Sequence, residues 1–159
     1  MRGRASDPES NARRFEETAA ATREVVRVFP GYADTVIWYQ GPVPYAETGL
    51  SSRLIAEMEQ WESRYYKSIG RSHELMSAHL ARGLELARAL SEEIGDILPV
   101  ETDEAGGGTT RLLTPGPGTN PEARNFFTGM LADAEAEDAR IAVDLRSGAQ
   151  FEWRPYRPE

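Results

Sequence analysis

A chain of 159 residues with 40% hydrophobic and 28% charged side chains can bury one core and is too short for two comfortable domains. It has no cysteine, so disulfides and thiolate chemistry are excluded. Twenty-six acidic against 18 basic residues leave a net charge of −8, which repels phosphate backbones and argues against nucleic acid as a partner.

The charge is uneven. Residues 119–138 hold Glu122, Asp133, Glu135, Glu137 and Asp138 against Arg124 alone, a balance of −4. Lys67 is the one lysine, and the arginine excess fits high-GC codon usage. No apolar run reaches the ~18 residues of a membrane span. The opening MRGRASDPESNARR lacks the apolar stretch of a secretory signal. The expectation is a cytoplasmic protein without membrane contact.

Asp7-Pro8 reads as an N-cap followed by Pro at the first helical position. ESNARRFEETAAATRE continues it, with Phe15, Ala19, Thr22 and Val26 on one face. Residues 1–23 are expected to form a polar, helical extension and residues 24–159 a single domain. VVRVF and TVIWY, separated by PGYAD, read as strand–turn–strand. Val25 to Phe29 also fits a last helical turn, but its β-branched residues favour the strand. GPVPYAETG carries two Pro and two Gly and forms a loop.

The clearest helix begins at Ser51, with Leu54, Met58, Trp61 and Tyr65 at steps of 4, 3 and 4. Gly70 ends it. Ser72 caps a longer helix in which Met76, Leu80, Gly83, Ala87, Leu90 and Ile94 recur, closed by Gly95. The short link Ile69-Gly70-Arg71 makes the pair an antiparallel hairpin. Gly83 costs about 1 kcal/mol of helix propensity relative to Ala. Close approach of the facing helix, opposite Trp61 or Tyr65, is the expected compensation.

ILPVET reads as a strand, EAGGGTT as a link, RLLT as a short strand and PGPGTNP as a loop. Residues 104–121 are therefore expected to be a flexible Gly/Pro-rich segment. Asn120-Pro121 opens a further helix with Phe126, Phe127, Met130, Leu131 and Ala134 inward. RIAVDLRSGAQFEWRPY alternates on both sides of Arg-Ser-Gly-Ala and reads as a hairpin. The fold class is α+β: an antiparallel helical hairpin packed on a small sheet, with a third helix and a C-terminal β-hairpin.

RALSEEIGD, residues 88–96, comes near the core of a Nudix box, where glutamates a helical turn apart hold Mg²⁺. Arg88, Leu90, Glu92, Glu93 and Gly95 fit. Ala89 and Leu80 stand where further glutamates belong, and Glu74 where the box has Gly. Two carboxylates do not make the cluster, so the stretch reads as a helix end before a glycine stop. HELMSAH, residues 73–79, has Ser77 where a zincin helix needs its second His. With two His and no Cys, neither a metal nor a cofactor is expected. GGGTT lacks the Lys-Ser/Thr of a phosphate loop, and no serine sits in a Gly-X-Ser-X-Gly elbow. No catalytic residue emerges.

His79 shares a helix face with Gly83, Leu86 and Leu90 and should be partly buried. It is either a neutral, hydrogen-bonded boundary residue or a base in a cleft, with Glu47 or Glu62 as its partner. Tyr32, Trp38, Tyr39 and Tyr45 cluster around the Pro-rich loop. Trp38 and Tyr39 point to opposite faces of a strand, so one is buried and the other reaches a surface. That surface either covers the helices or meets a partner.

VVRVF, IWYQGPV, GLSSRLIAEMEQWESRYY and RGLELARALSEEIG, with Trp61 and the Gly-Leu-Ser helix start, carry a resemblance across residues 25–102. This span resembles small uncharacterised acidic proteins common in high-GC Gram-positive bacteria, a group with no known activity. The resemblance implies a strand–helix–helix–strand order and assigns no catalytic residue.

The leading expectation is a non-catalytic acidic protein-interaction module, such as an immunity or antitoxin-like inhibitor of a basic protein. Contact would run through Asp133, Glu135, Glu137 and Asp138 or through Tyr32, Trp38, Tyr39 and Tyr45. The alternative is a small enzyme or small-molecule-binding domain using a cleft around His79, with Glu47 or Tyr65 nearby. A homodimer sharing the apolar helix stripe is a third expectation.

Overall fold

A side chain that accepts a backbone N–H stands at the start of each of four α-helices in the computed structural model, which describes residues 7–31, 33–70 and 72–148. Asp7 accepts from Ser10 at α1 (Pro8–Arg23), and Ser51 from Leu54 at α2 (Ser52–Ser68). Ser72 accepts from Leu75 at α3 (His73–Ile94), and Asn120 from Ala123 at α4 (Pro121–Arg146). Such caps satisfy donors that a first helical turn leaves unpaired, each contributing ~1 kcal/mol.

Strands β1 (Val26–Val28), β2 (Ile37–Trp38), β3 (Val100–Asp103) and β4 (Thr109–Leu112) form one mixed sheet in the order β2-β1-β3-β4. The fold class is α+β. VVRVF and TVIWY supply antiparallel β1 and β2, whereas β1 and β3 run parallel. A parallel pair needs a long crossover, which α2 and α3 provide. Register sorts the two faces of the sheet. Val26 stands opposite Val100, which faces Leu112, and Arg27 stands opposite Glu101, which faces Arg111. The valine row is fully buried. On the open face Glu101 pairs with both arginines at 3.3 Å.

α3 covers the inner face with Leu86, Ala87, Leu90 and Ile94, all buried, and α2 lies on α3. Glu57 meets Arg82 while Trp61 meets His79 and Gly83, so the two helices run in opposite directions. Leu54, Met58 and Trp61 are buried within the chain itself. No helix among the described residues is long and apolar enough to cross a membrane.

The C-terminal hairpin expectation is corrected. RIAVDL is not a strand, because α4 runs unbroken to Arg146. Alternation over six residues is also compatible with a helix, and no Gly or Pro stands between Gly129 and Gly148 to stop one. The partner that decides is α1, which packs along α4. Ala12 and Ala19 of α1 and Ala142 of α4 are buried. Arg23 lies 2.8 Å from Asp138, and Arg146 reaches Glu9 at 3.3 Å and Glu16 at 2.8 Å. The second half of the expected hairpin, 149–159, lies outside the described residues.

Residues 104–121, expected to be a flexible segment, contain β4 and a connection fastened to the end of α3. Asp96 N donates to Gly116 O at 2.9 Å, Thr119 N to Glu92 O at 3.0 Å and Asn120 N to Glu93 O at 3.1 Å. A Cβ on Gly95 would sit 2.3 Å from Gly116 O, and one on Gly118 would sit 2.5 Å from Glu93 O. Both glycines have positive φ. Here glycine permits a close contact between two backbones.

Glu93, from the Nudix-like stretch, completes this junction. Its carboxylate accepts Ser51 N at 3.0 Å, Asn120 Nδ2 at 2.8 Å and the Ser51 hydroxyl. One side chain on α3 thereby holds the capping residues of α2 and α4. Glu92 remains exposed. Glu93→Ala is expected to lower the unfolding free energy by about 2 kcal/mol, read from urea denaturation at pH 7. Glu92→Ala should change it by less than ~0.5 kcal/mol. Equal effects would show that Glu93 anchors nothing.

Candidate functional site: a groove between α2 and α3

Trp61 and Gly83 fix where the two helices touch. A Cβ on Gly83 would lie 2.6 Å from Trp61 Cζ2, so the missing side chain is the seat of the indole. This matches the close approach expected at Gly83, with Trp61 as the facing residue. The indole Nε1 donates to His79 O at 2.9 Å. Its ring stacks on the His79 imidazole with centroids 4.6 Å apart and planes 10° apart. Tyr65, one helical turn along α2, meets the same imidazole at 5.0 Å.

His79 is 8% exposed, and its Nε2 is buried without a hydrogen-bond partner among the described residues. Burial pushes its pKa below the ordinary 6.5, so the ring is neutral at pH 7. Neither carboxylate expected as its partner lines the groove. Glu47 sits in a 3-10 turn, Tyr45–Glu47. Glu62 lines a separate shallow hollow with Asp34 and Glu59, where burial and then the Asp34 charge raise its pKa.

The groove has a volume of about 360 Å³, within the range of ligand sites, ~300–1,000 Å³. It extends from the level of Glu57 and Arg82 to that of Lys67 and Leu75, near the α2–α3 turn. Trp61, Leu75, Ala78 and His79 line it with apolar surface, and Gln60, Arg64 and Lys67 join Glu57 and Arg82 as its polar lining. Glu57 is held by Arg53 at 2.9 Å and Arg82 at 2.8 Å. The Arg53 hydrogen bond foremost, with help from Arg82, keeps it below the usual carboxylate range. Arg82 also pairs with Glu85 at 2.6 Å. Arg64 and Lys67 have no ion-pair partner among the described residues.

The described residues among those expected to meet a partner differ in exposure, and Tyr39 lies near Glu135 and Asp138. Tyr39 is 4% exposed, and burial pushes its pKa up to about 12. Its unbonded hydroxyl feels Arg23, Glu135 and Asp138. Tyr45 is half-buried, and its hydroxyl accepts Val36 N at 3.1 Å. Trp38 is half-buried and stacks on Phe29 at 5.1 Å. Tyr39 is thus the buried member of the Trp38–Tyr39 pair. Tyr32 lies outside the described residues. Asp133, Glu135 and Glu137 are exposed on α4, with Glu137 bound to Arg140 at 3.0 Å. Asp138 contacts Arg23 without hydrogen-bond geometry. Among the described residues no group of three or more His, Asp or Glu is placed to hold a metal ion.

Sequence reasoning missed Arg64, Lys67, Leu75 and Ala78 as groove residues. Arg64 and Lys67 read as a solvated helix face, and only the spacing of the neighbouring helix turns that face into a wall.

Gly83→Ala sets two effects against each other. Helix propensity improves by about 1 kcal/mol, whereas crowding an indole typically costs 1–3 kcal/mol. Net destabilisation by about 1 kcal/mol is expected in urea denaturation, and a stabilised variant would mean the indole moves freely. His79 makes stability depend on pH with a definite sign. Its folded pKa lies below the unfolded value, so its contribution is present above pH 6.5 and is lost as pH falls through the folded pKa. Wild type should therefore lose more unfolding free energy than His79→Phe between pH 7.5 and pH 5 (~2.5 units apart). Glu62 titrates in the opposite sense and is common to both proteins, so the comparison isolates the imidazole. Comparison of the chain with family models, with curated proteins and with solved structures finds no match in any of the three.

Proposed function

We propose that this domain binds a small organic molecule in the groove between α2 and α3 and does not transform it. The observation that carries the reading is the groove itself, a cavity of ligand size with an aromatic and aliphatic lining and a few convergent polar groups. Binding without chemistry is favoured because, among the described residues, the groove is lined by no free acid–base pair. His79 Nε2 is withdrawn from solvent, and Glu57 is engaged by two arginines. A general base needs reach to its proton.

Inhibition of a basic protein through α4 is the second reading. It draws on Asp133 and Glu135, which are exposed and have no ion-pair partner among the described residues, since Glu137 and Asp138 face arginines. Of the aromatic residues, Tyr39 is buried and Trp38 and Tyr45 are half-buried, which leaves them less surface for a partner.

A thermal-shift screen of small organic acids, amines and neutral aromatics tests the first reading. At least one compound should raise the melting temperature by several degrees in the wild type. It should raise it by none in Ala78→Trp, which fills the groove from an exposed position and leaves the core intact. If nothing shifts, and a basic protein binds until Asp133→Lys and Glu135→Lys are introduced, the inhibitor reading takes its place.

A further inference from the structure

The groove's charge opposes that of the molecule. The chain carries −8, yet three cations line the groove against one carboxylate. Arg82 is already answered by Glu57 and Glu85. Arg64 and Lys67 are left. They stand three residues apart on α2 and therefore on one side of that helix. Both are exposed, and neither has an ion-pair partner among the described residues. A lone exposed cation is ordinary. Two unanswered ones, at the end of an apolar groove on an acidic protein, are complementary to one kind of ligand.

We propose that the occupant is an organic anion, with an apolar ring system along Trp61, Ala78 and His79 and one carboxylate or phosphate group reaching Arg64 and Lys67. The inference rests on the groove being a ligand site at all. Guanidinium presents paired donors that match a carboxylate or phosphate, and ammonium adds a compact point charge. Hydrogen bonds to charged groups contribute about twice what neutral ones do. The surrounding negative field disfavours anions elsewhere, so the cation pair supplies both orientation and selectivity. Because the groove is open to water, the charge preference weakens as salt rises.

The test uses the full chain and three probes that share one ring system: 2-naphthoate, 2-naphthyl phosphate and neutral 2-naphthamide, titrated by calorimetry at low salt. At least one anion should bind about tenfold tighter than the amide, and whichever anion is preferred identifies the headgroup. Combining Arg64→Ala with Lys67→Ala should erase the preference, so that the anions and the amide bind the double variant with equal affinity. Ala78→Trp should abolish binding of all three. An amide that binds as tightly as the anions, or a double variant that keeps the preference, overturns the anion assignment and leaves the ligand site standing. If neither anion binds the wild type, the anion assignment falls, and the ligand site falls with it only if the thermal-shift screen also finds no compound.

Discussion

The indole of Trp61 resting on the bare backbone of Gly83 sets the spacing of α2 and α3, and most of what is distinctive about this protein follows from that contact. The 2.6 Å between a would-be Cβ and the indole leaves no room for any other residue at position 83 without movement. Drawn in this far, the indole reaches a main-chain carbonyl, His79 O, and lays its face on the imidazole. Interiors pack at crystal-like density, so one large ring fitted into one gap fixes everything stacked on it. The wall residues Arg64, Lys67, Leu75 and Ala78 stand on either side of a groove only because the helices meet at this separation.

At the other end of α3 the contacts are polar and serve a different purpose. Helix termini leave backbone groups unpaired, and three such termini converge here. Glu93 links the caps of α2 and α4, and the Gly116–Asn120 connection bonds to the last carbonyls of α3. A stretch that resembles a metal-binding motif in letters is instead a structural junction. The carboxylate has found N–H and O–H donors, which for one glutamate on an open surface is a better partner set than an ion held by too few ligands.

Charge distribution separates the surfaces. Acids spread along α4 are partly answered by arginines of α1 and of α4 itself, and exposed pairs of this kind contribute little to stability. The open sheet face carries its own Arg–Glu–Arg ladder. In the groove, Arg64 and Lys67 stand beside apolar surface without an ion-pair partner among the described residues, the charge and shape on which the proposed ligand reading rests. The histidine at its base stacks on Trp61 and meets Tyr65, with its buried Nε2 unbonded among the described residues.

All four helix starts were legible in the letters, because a cap is a local event: a Ser, Asp or Asn bonds an N–H three residues on. So were the β-branched strands β1 and β3, the glycine stop at Gly95 and the need for a large neighbour at Gly83, each decided within one element or by one missing atom. The groove was only half legible. His79 could be placed on the buried face by angle alone, but its companions Arg64 and Lys67 could not be told from solvated residues until the second helix took its place. The end of α4 was misread for the same reason. RIAVDL suits a strand or a helix equally, and α1, more than a hundred residues earlier in the chain, settled the matter with Ala12, Ala19 and the partners of Arg146. Local chemistry is written residue by residue in the sequence. The separation of two helices and the choice between two periodicities are set by surfaces that meet only in three dimensions, and there the tertiary structure alone decided.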